Sequence, residues 1–98
     1  MKQLFDEISI KSSKLVTKTY STSFSLGIKF LDKSIRTPIY NIYGFVRFAD
    51  EIVDSFQGYD KEYLLKKFRQ DTIEAIEQKI SLNPILNSFQ ETVNKYNI

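Results

Sequence analysis

Asp50 and Asp54 stand four residues apart within the segment YGFVRFADEIVD, among mostly apolar neighbours. Carboxylates at i and i+4 share one helix face, where two exposed and unliganded acids repel by only about 0.2–0.5 kcal/mol. Spacing alone therefore fits a solvated face. The flanking residues read as buried, however, and a desolvated carboxylate pair costs far more than an exposed one. Arg47, one turn before Asp50, offsets part of that cost and leaves room for a further cation. The chain has neither His nor Cys, so any metal is a hard cation held by oxygen. Mg²⁺ accepts one or two carboxylates, several waters and phosphate oxygens. The chemistry within reach of these residues is thus the holding of a diphosphate through a metal ion, with Arg47 bonding a phosphate or orienting an Asp.

Such a pair needs a rigid helix beneath it, and the composition points to helices. Gly and Pro are scarce, no Asn-Gly or Asp-Gly turn occurs, and sustained alternation of apolar and polar residues is absent. From Leu4 to about Thr19, the spacing of Leu4, Ile8 and Leu15 predicts a helix that buries those three and leaves Lys11, Lys14 and Lys18 wet. Ser21 or Thr22 caps a second helical turn. The patch DKSIRTP reads as a break, with Pro38 at an early position of a third helix from about Arg36 to Phe56. On that helix Ile42, Val46, Ala49 and Val53 form one apolar stripe, and Phe45, Phe48 and Ile52 a second, which predicts burial over most of its circumference. Tyr40, Tyr43, Arg47, Asp50 and Asp54 share a further face, while Gly44, Glu51 and Ser55 lie on a narrow strip that meets water. Asp60 caps a fourth helix carrying Leu64, Leu65, Phe68, Ile73, Ile76 and Ile80. Asn83 and Pro84 open a fifth as N-cap and first helical residue, followed by Ile85, Leu86, Phe89 and Val93.

The chain has 98 residues, enough for one domain with a modest core. Fourteen Lys and Arg against twelve Asp and Glu give a net charge of +2, which excludes a nucleic-acid footprint. The lack of Cys excludes a disulfide framework and thiolate chemistry. No apolar run crosses a bilayer, and the amino-terminal residues lack a signal-peptide core, so the chain reads as cytoplasmic. Six Tyr and eight Phe furnish a core or line a pocket for a large apolar ligand. The lysines between residues 11 and 18 make one basic helix face, which is usually just solvated and hints only weakly at a membrane contact.

Single residues have plain structural readings. Ser21 and Ser23 suit a helix start, Tyr40 and Tyr43 a core or interface, and Arg47 an ion pair. Their joint order is more specific. The run YSTSFSLGIKFLDKSIRTPIYNIYGFVRFADEIVDSF, from Tyr20 to Phe56, resembles the start of the phytoene/squalene synthases, most closely the bacterial phytoene synthases. That family carries Ser-x-Ser-Phe, then an Arg, then a Tyr-rich helix ending Arg-x-x-Asp-x-x-x-Asp. The matching residues are Ser21, Ser23, Phe24, Arg36, Tyr43, Arg47, Asp50 and Asp54. The resemblance implies an all-α isoprenoid-synthase fold, of which residues 1–98 form the amino-terminal part of a single domain with four to five helices. It also implies a prenyl transferase that joins two prenyl diphosphates head to head, geranylgeranyl diphosphate giving phytoene or farnesyl diphosphate giving a squalene-like product, in carotenoid or other isoprenoid biosynthesis. Asp50 and Asp54 would hold Mg²⁺, Ser21, Ser23 and Arg47 would line the diphosphate end, and Tyr43 would face the reacting intermediate. Thr22 and Tyr20 stand where the family often has Lys and His, so some phosphate-end charge is missing. A second acidic motif, expected on a later helix, has no counterpart here, so these residues alone are expected not to catalyse condensation. The alternative reading is a non-catalytic helical module that self-associates to cover its second apolar stripe. Contact with a membrane surface would suit the apolar product.

Overall fold

The computed structural model describes residues 1–98, which form five α-helices and no strand. They are α1 (Lys2–Tyr20), α2 (Thr22–Ile28), α3 (Lys33–Asp54), α4 (Lys61–Gln78) and α5 (Pro84–Tyr96). Four of the starts are capped by side chains. Ser21 accepts from the Phe24 amide at 3.1 Å and Asp60 from the Tyr63 amide at 3.0 Å. Asn83 accepts from Ile85 at 3.0 Å, with Pro84 as the first helical residue. Each such cap satisfies an otherwise orphaned amide and stabilises its helix by about 0.5–2 kcal/mol. The fourth cap corrects the expected start of α3. Asp32 accepts from both the amide and the hydroxyl of Ser34, at 2.8 and 2.7 Å. That cap starts the helix at Lys33, so Lys33–Thr37 are helical rather than a break, and Pro38 lies inside the helix.

The buried face of α1 is the reverse of the expected one. Ser9, Ser13 and Thr17 are buried, whereas Leu4, Ile8 and Leu15 are exposed, Leu15 by 66%. Small hydroxyl side chains can line a tight helix interface because they satisfy themselves locally. The Ser9 hydroxyl donates to the Phe5 carbonyl and that of Thr17 to the Ser13 carbonyl, both at 2.9 Å. Further bonds cross to α5: Ser13 and Ser88 share one at 2.5 Å, and the Asn87 amide donates to the Ser9 hydroxyl at 3.0 Å. Asn41 of α3 donates to Thr92 of α5 at 3.0 Å.

The close approach of α1 to α3 depends on Gly44. A Cβ there would lie 3.0 Å from the Ser13 Cα and 3.2 Å from its carbonyl oxygen. Gly44 is therefore buried, not on a wet strip. Gly44→Ala is expected to lower the melting temperature followed by circular dichroism by roughly 4–8 °C. Overpacking, about 1–3 kcal/mol, outweighs the roughly 1 kcal/mol that Ala gains in helix propensity. An unchanged or raised melting temperature would mean that α1 can move aside at no cost.

The apolar core lies on the other side of α5. Ile52 of α3, Ala75 of α4 and Ile85 and Leu86 of α5 are buried, and so is Ile28 at the end of α2. Phe89 of α5 stacks on Phe45 of α3 with ring centroids 3.8 Å apart, and Phe68 of α4 lies 5.4 Å from Phe45 and 5.5 Å from Phe48. The stripe of Phe45, Phe48 and Ile52 thus faces inward. The Ile42–Val53 stripe does not: Val46 and Val53 are about half exposed, so α3 is buried on one side only. No helix is long and apolar enough to cross a membrane.

Candidate functional site

The open side of α3 carries the acidic pair. Asp50 and Asp54 are both exposed, and neither has a Lys or Arg within ion-pairing distance. The expectation of buried flanks is corrected here, because Val46 and Val53 beside the acids meet solvent. The pair therefore carries little desolvation cost within this chain.

Arg47 points elsewhere than expected. Its guanidinium donates to Glu51 at 2.9 Å rather than to Asp50. Both acids are within reach of an arginine on one helix, at i+3 and i+4. Tyr20, at the end of α1, sides with the second arrangement: the guanidinium lies over its ring, 4.7 Å from the centroid. The Arg47 Nε is buried without a hydrogen-bond partner. Glu51 is held below the ordinary glutamate range, first by the Ser55 hydroxyl, then by Arg47, and to a lesser degree by Tyr20. Glu51 thus belongs to the site's immediate surroundings although the motif did not single it out, and Tyr20, a motif position, joins it there. The i, i+4 spacing of Arg47 and Glu51 was a legible signal. The approach of Tyr20 was not.

A depressed carboxylate stabilises the fold at pH values above its unfolded pKa, and the contribution is lost as pH falls through the lower folded value. Melting temperatures of the wild type and Glu51→Gln, compared across pH, should therefore differ near neutrality and converge once the pH falls below the lowered folded value. A difference that persists in acid would show that the glutamate acts through packing, not charge.

The other motif residues arrive from α1–α2. Phe24 stacks on Tyr43 at 4.5 Å, which fixes α2 against the open face of α3. Ser21 is committed as the cap of α2, and Ser23 is exposed in its first turn. Ser25 is buried, and its hydroxyl has no partner. Tyr40 leaves the stripe assigned to it and is buried instead. Arg36 is a tie for the backbone: its guanidinium donates to the Leu31 and Lys29 carbonyls at 3.0 and 2.8 Å, closing the turn between α2 and α3.

Chemically, the face offers two free carboxylates, a guanidinium already bound to one acid, and tyrosine and phenylalanine rings. No group of three or more acids could cage a metal by itself. Two unpaired carboxylates do suit a hard cation that takes its remaining ligands from water and phosphate. Comparison with known proteins gives one assignment. The family model described as squalene/phytoene synthase matches residues 17–98, which takes in the end of α1 and all of α2–α5. No curated protein and no solved structure matches the chain.

Proposed function

Because the chain belongs to the squalene/phytoene synthase family, a family of prenyl transferases acting on prenyl diphosphates, we propose that it supplies the acidic, metal-binding face of a head-to-head condensing enzyme. The observation that carries this reading is the pair of unpaired carboxylates on the open side of α3, in register with Tyr43 and Arg47. Residues 1–98 then form the amino-terminal part of one synthase-type domain, with the open side of α3 lining its cavity. The favoured substrate is geranylgeranyl diphosphate and the product phytoene-like, for carotenoid biosynthesis.

Each side chain has a task in this reading. Asp50 and Asp54 hold Mg²⁺ at the diphosphate. The chemistry supplied by bound Mg²⁺ is neutralisation of charge on the departing diphosphate. Arg47, whose Nη1 makes no hydrogen bond within the chain, donates to a phosphate oxygen, and Glu51 and Tyr20 keep its guanidinium on that side of α3. The Ser23 hydroxyl donates at the same end, and so does that of Ser21, whose oxygen also accepts from the Phe24 amide. Tyr43, backed by Phe24, presents an electron-rich ring to the cationic stage of the substrate. With one acidic pair only, these residues bind and do not condense. Calorimetric titration with geranylgeranyl diphosphate tests this reading: Mg²⁺ is expected to tighten binding, and EDTA to remove that gain. Binding indifferent to the metal, or none at all, would refute the assignment.

A second reading, self-association, is favoured by the exposure of Leu4, Ile8, Leu15, Val46 and Val53. Exposed apolar rows on two helices suit an interface between copies. Light scattering should then give a mass above that of one chain, and a stable monomer at high concentration would exclude it.

A further inference from the structure

The chain's net charge of +2 conceals a strong local imbalance. A cleft of about 520 Å³ lies between α1 and the start of α3, closed at one end by the turn after α2. Six of the chain's 14 cationic side chains line it: Lys11, Lys14, Lys18, Lys29, Lys33 and Arg36. No acidic residue is among its walls. None of the five lysines has a carboxylate within 4 Å, although lysines elsewhere, such as Lys2 and Lys67, do find acids. Asp32, next to Lys33 in sequence, is not among the walls: it caps α3 through Ser34, and its charge is felt by Arg36 without an ion pair.

The floor of the cleft is fixed. Tyr40 is buried beneath it, with the Lys14 ammonium 5.5 Å from its ring centroid. Arg36 is held by two backbone carbonyls, so its charge cannot swing away. Along α3 the cleft is distant from the acidic pair: Arg36 and Asp50 are separated by fourteen residues, about 21 Å of helix. It is therefore not part of the face assigned above.

Six like charges gathered in one concavity repel one another, and the low-dielectric walls strengthen the field rather than screening it. Such an arrangement is relieved by a multiply charged anion. Lysine is a point-charge donor suited to phosphate oxygens, and the Thr37 hydroxyl at the wall adds a neutral donor. We propose that this cleft is a second, metal-independent binding site for phosphate groups, either those of a free diphosphate or those of anionic lipid headgroups. Exposed Leu15 and Phe30 lie next in sequence to the cleft lysines, so a phospholipid surface would meet apolar side chains as well as charge.

The test uses the full chain in EDTA, so that metal-dependent binding at Asp50 and Asp54 does not contribute. One arm titrates inorganic pyrophosphate. The other measures sedimentation with vesicles of phosphatidylcholine alone or mixed with phosphatidylglycerol. The variants are Lys11→Gln/Lys14→Gln/Lys18→Gln and Lys29→Gln/Lys33→Gln, all at exposed positions, with Lys66→Gln on α4 as control and circular dichroism to confirm folding. Binding in either arm is expected to fall at least about tenfold in both cleft variants and to be unchanged in the control. Pyrophosphate binding identifies a free-phosphate site; binding confined to anionic vesicles identifies the headgroup. No binding in either arm, equal binding to neutral vesicles, or cleft variants that bind like the wild type would each overturn the proposal.

Discussion

Asp50→Asn/Asp54→Asn is expected to weaken Mg²⁺-dependent binding of geranylgeranyl diphosphate by at least about 100-fold, since even outer-shell partners of metal ligands are worth 10–100-fold. The substitution keeps shape and removes charge. Both positions are exposed and make no ion pair, so the fold loses nothing it depends on. Removing the i, i+4 repulsion should even raise stability slightly, by about 0.2–0.5 kcal/mol. The result to look for is thus a loss of metal-dependent affinity with an unchanged or marginally higher melting temperature. If the gain in affinity from Mg²⁺ survives in the double variant, the acids are only a solvated pair and the metal is held by something else. If affinity and melting temperature fall together, the pair has a structural role that its exposure does not suggest.

Leu86→Ala should produce the largest change in stability. Leu86 is fully enclosed, at 0% exposure, on the helix that touches α1, α3 and α4 alike. Truncating an enclosed leucine costs about 2–5 kcal/mol, because the lost transfer energy is compounded by the cavity left behind. A domain of this size has little reserve. At roughly 4–8 °C per kcal/mol, the melting temperature should drop by some 10–40 °C. Leu82→Ala is the matched control: Leu82 is 91% exposed and lies only four residues away. It should change stability by no more than about 0.5 kcal/mol. Similar effects at the two sites in a thermal melt would mean that α5 does not sit at the centre of the packing.

Much of this molecule was legible in its residues. Asp60 and Asn83–Pro84 announced two helix starts by the chemistry of capping, and Ser21 was one of two candidates for a third. These signals are local: each needs only a side-chain oxygen and an amide two or three residues on. The inward face of α5 was legible only in part: Ile85 and Leu86 are buried as their apolar side chains suggest, but so are Asn87, Ser88, Gln90 and Thr92, which the apolar pattern did not mark. The ordered set from Ser21 to Asp54 pointed to the family whose model spans residues 17–98.

What the residues did not disclose was which neighbour each face would meet. On α1, periodicity marked Leu4, Ile8 and Leu15 for burial, yet the helix turns Ser9, Ser13 and Thr17 inward. That choice follows from Gly44 on α3 and Ser88 on α5, which allow an approach too close for leucine and offer hydroxyl partners to serine. Likewise, helix spacing allowed Arg47 either Asp50 or Glu51, and Tyr20, arriving from another helix, accompanies the choice of Glu51. The six cations of the basic cleft are scattered from residue 11 to residue 36 and gather only when α1 lies against α3. Helix starts and the all-α class depend on bonds within a few residues and were set by the sequence itself. Burial, ion pairing and charge clustering depend on distances between helices, and only the packed structure decided them.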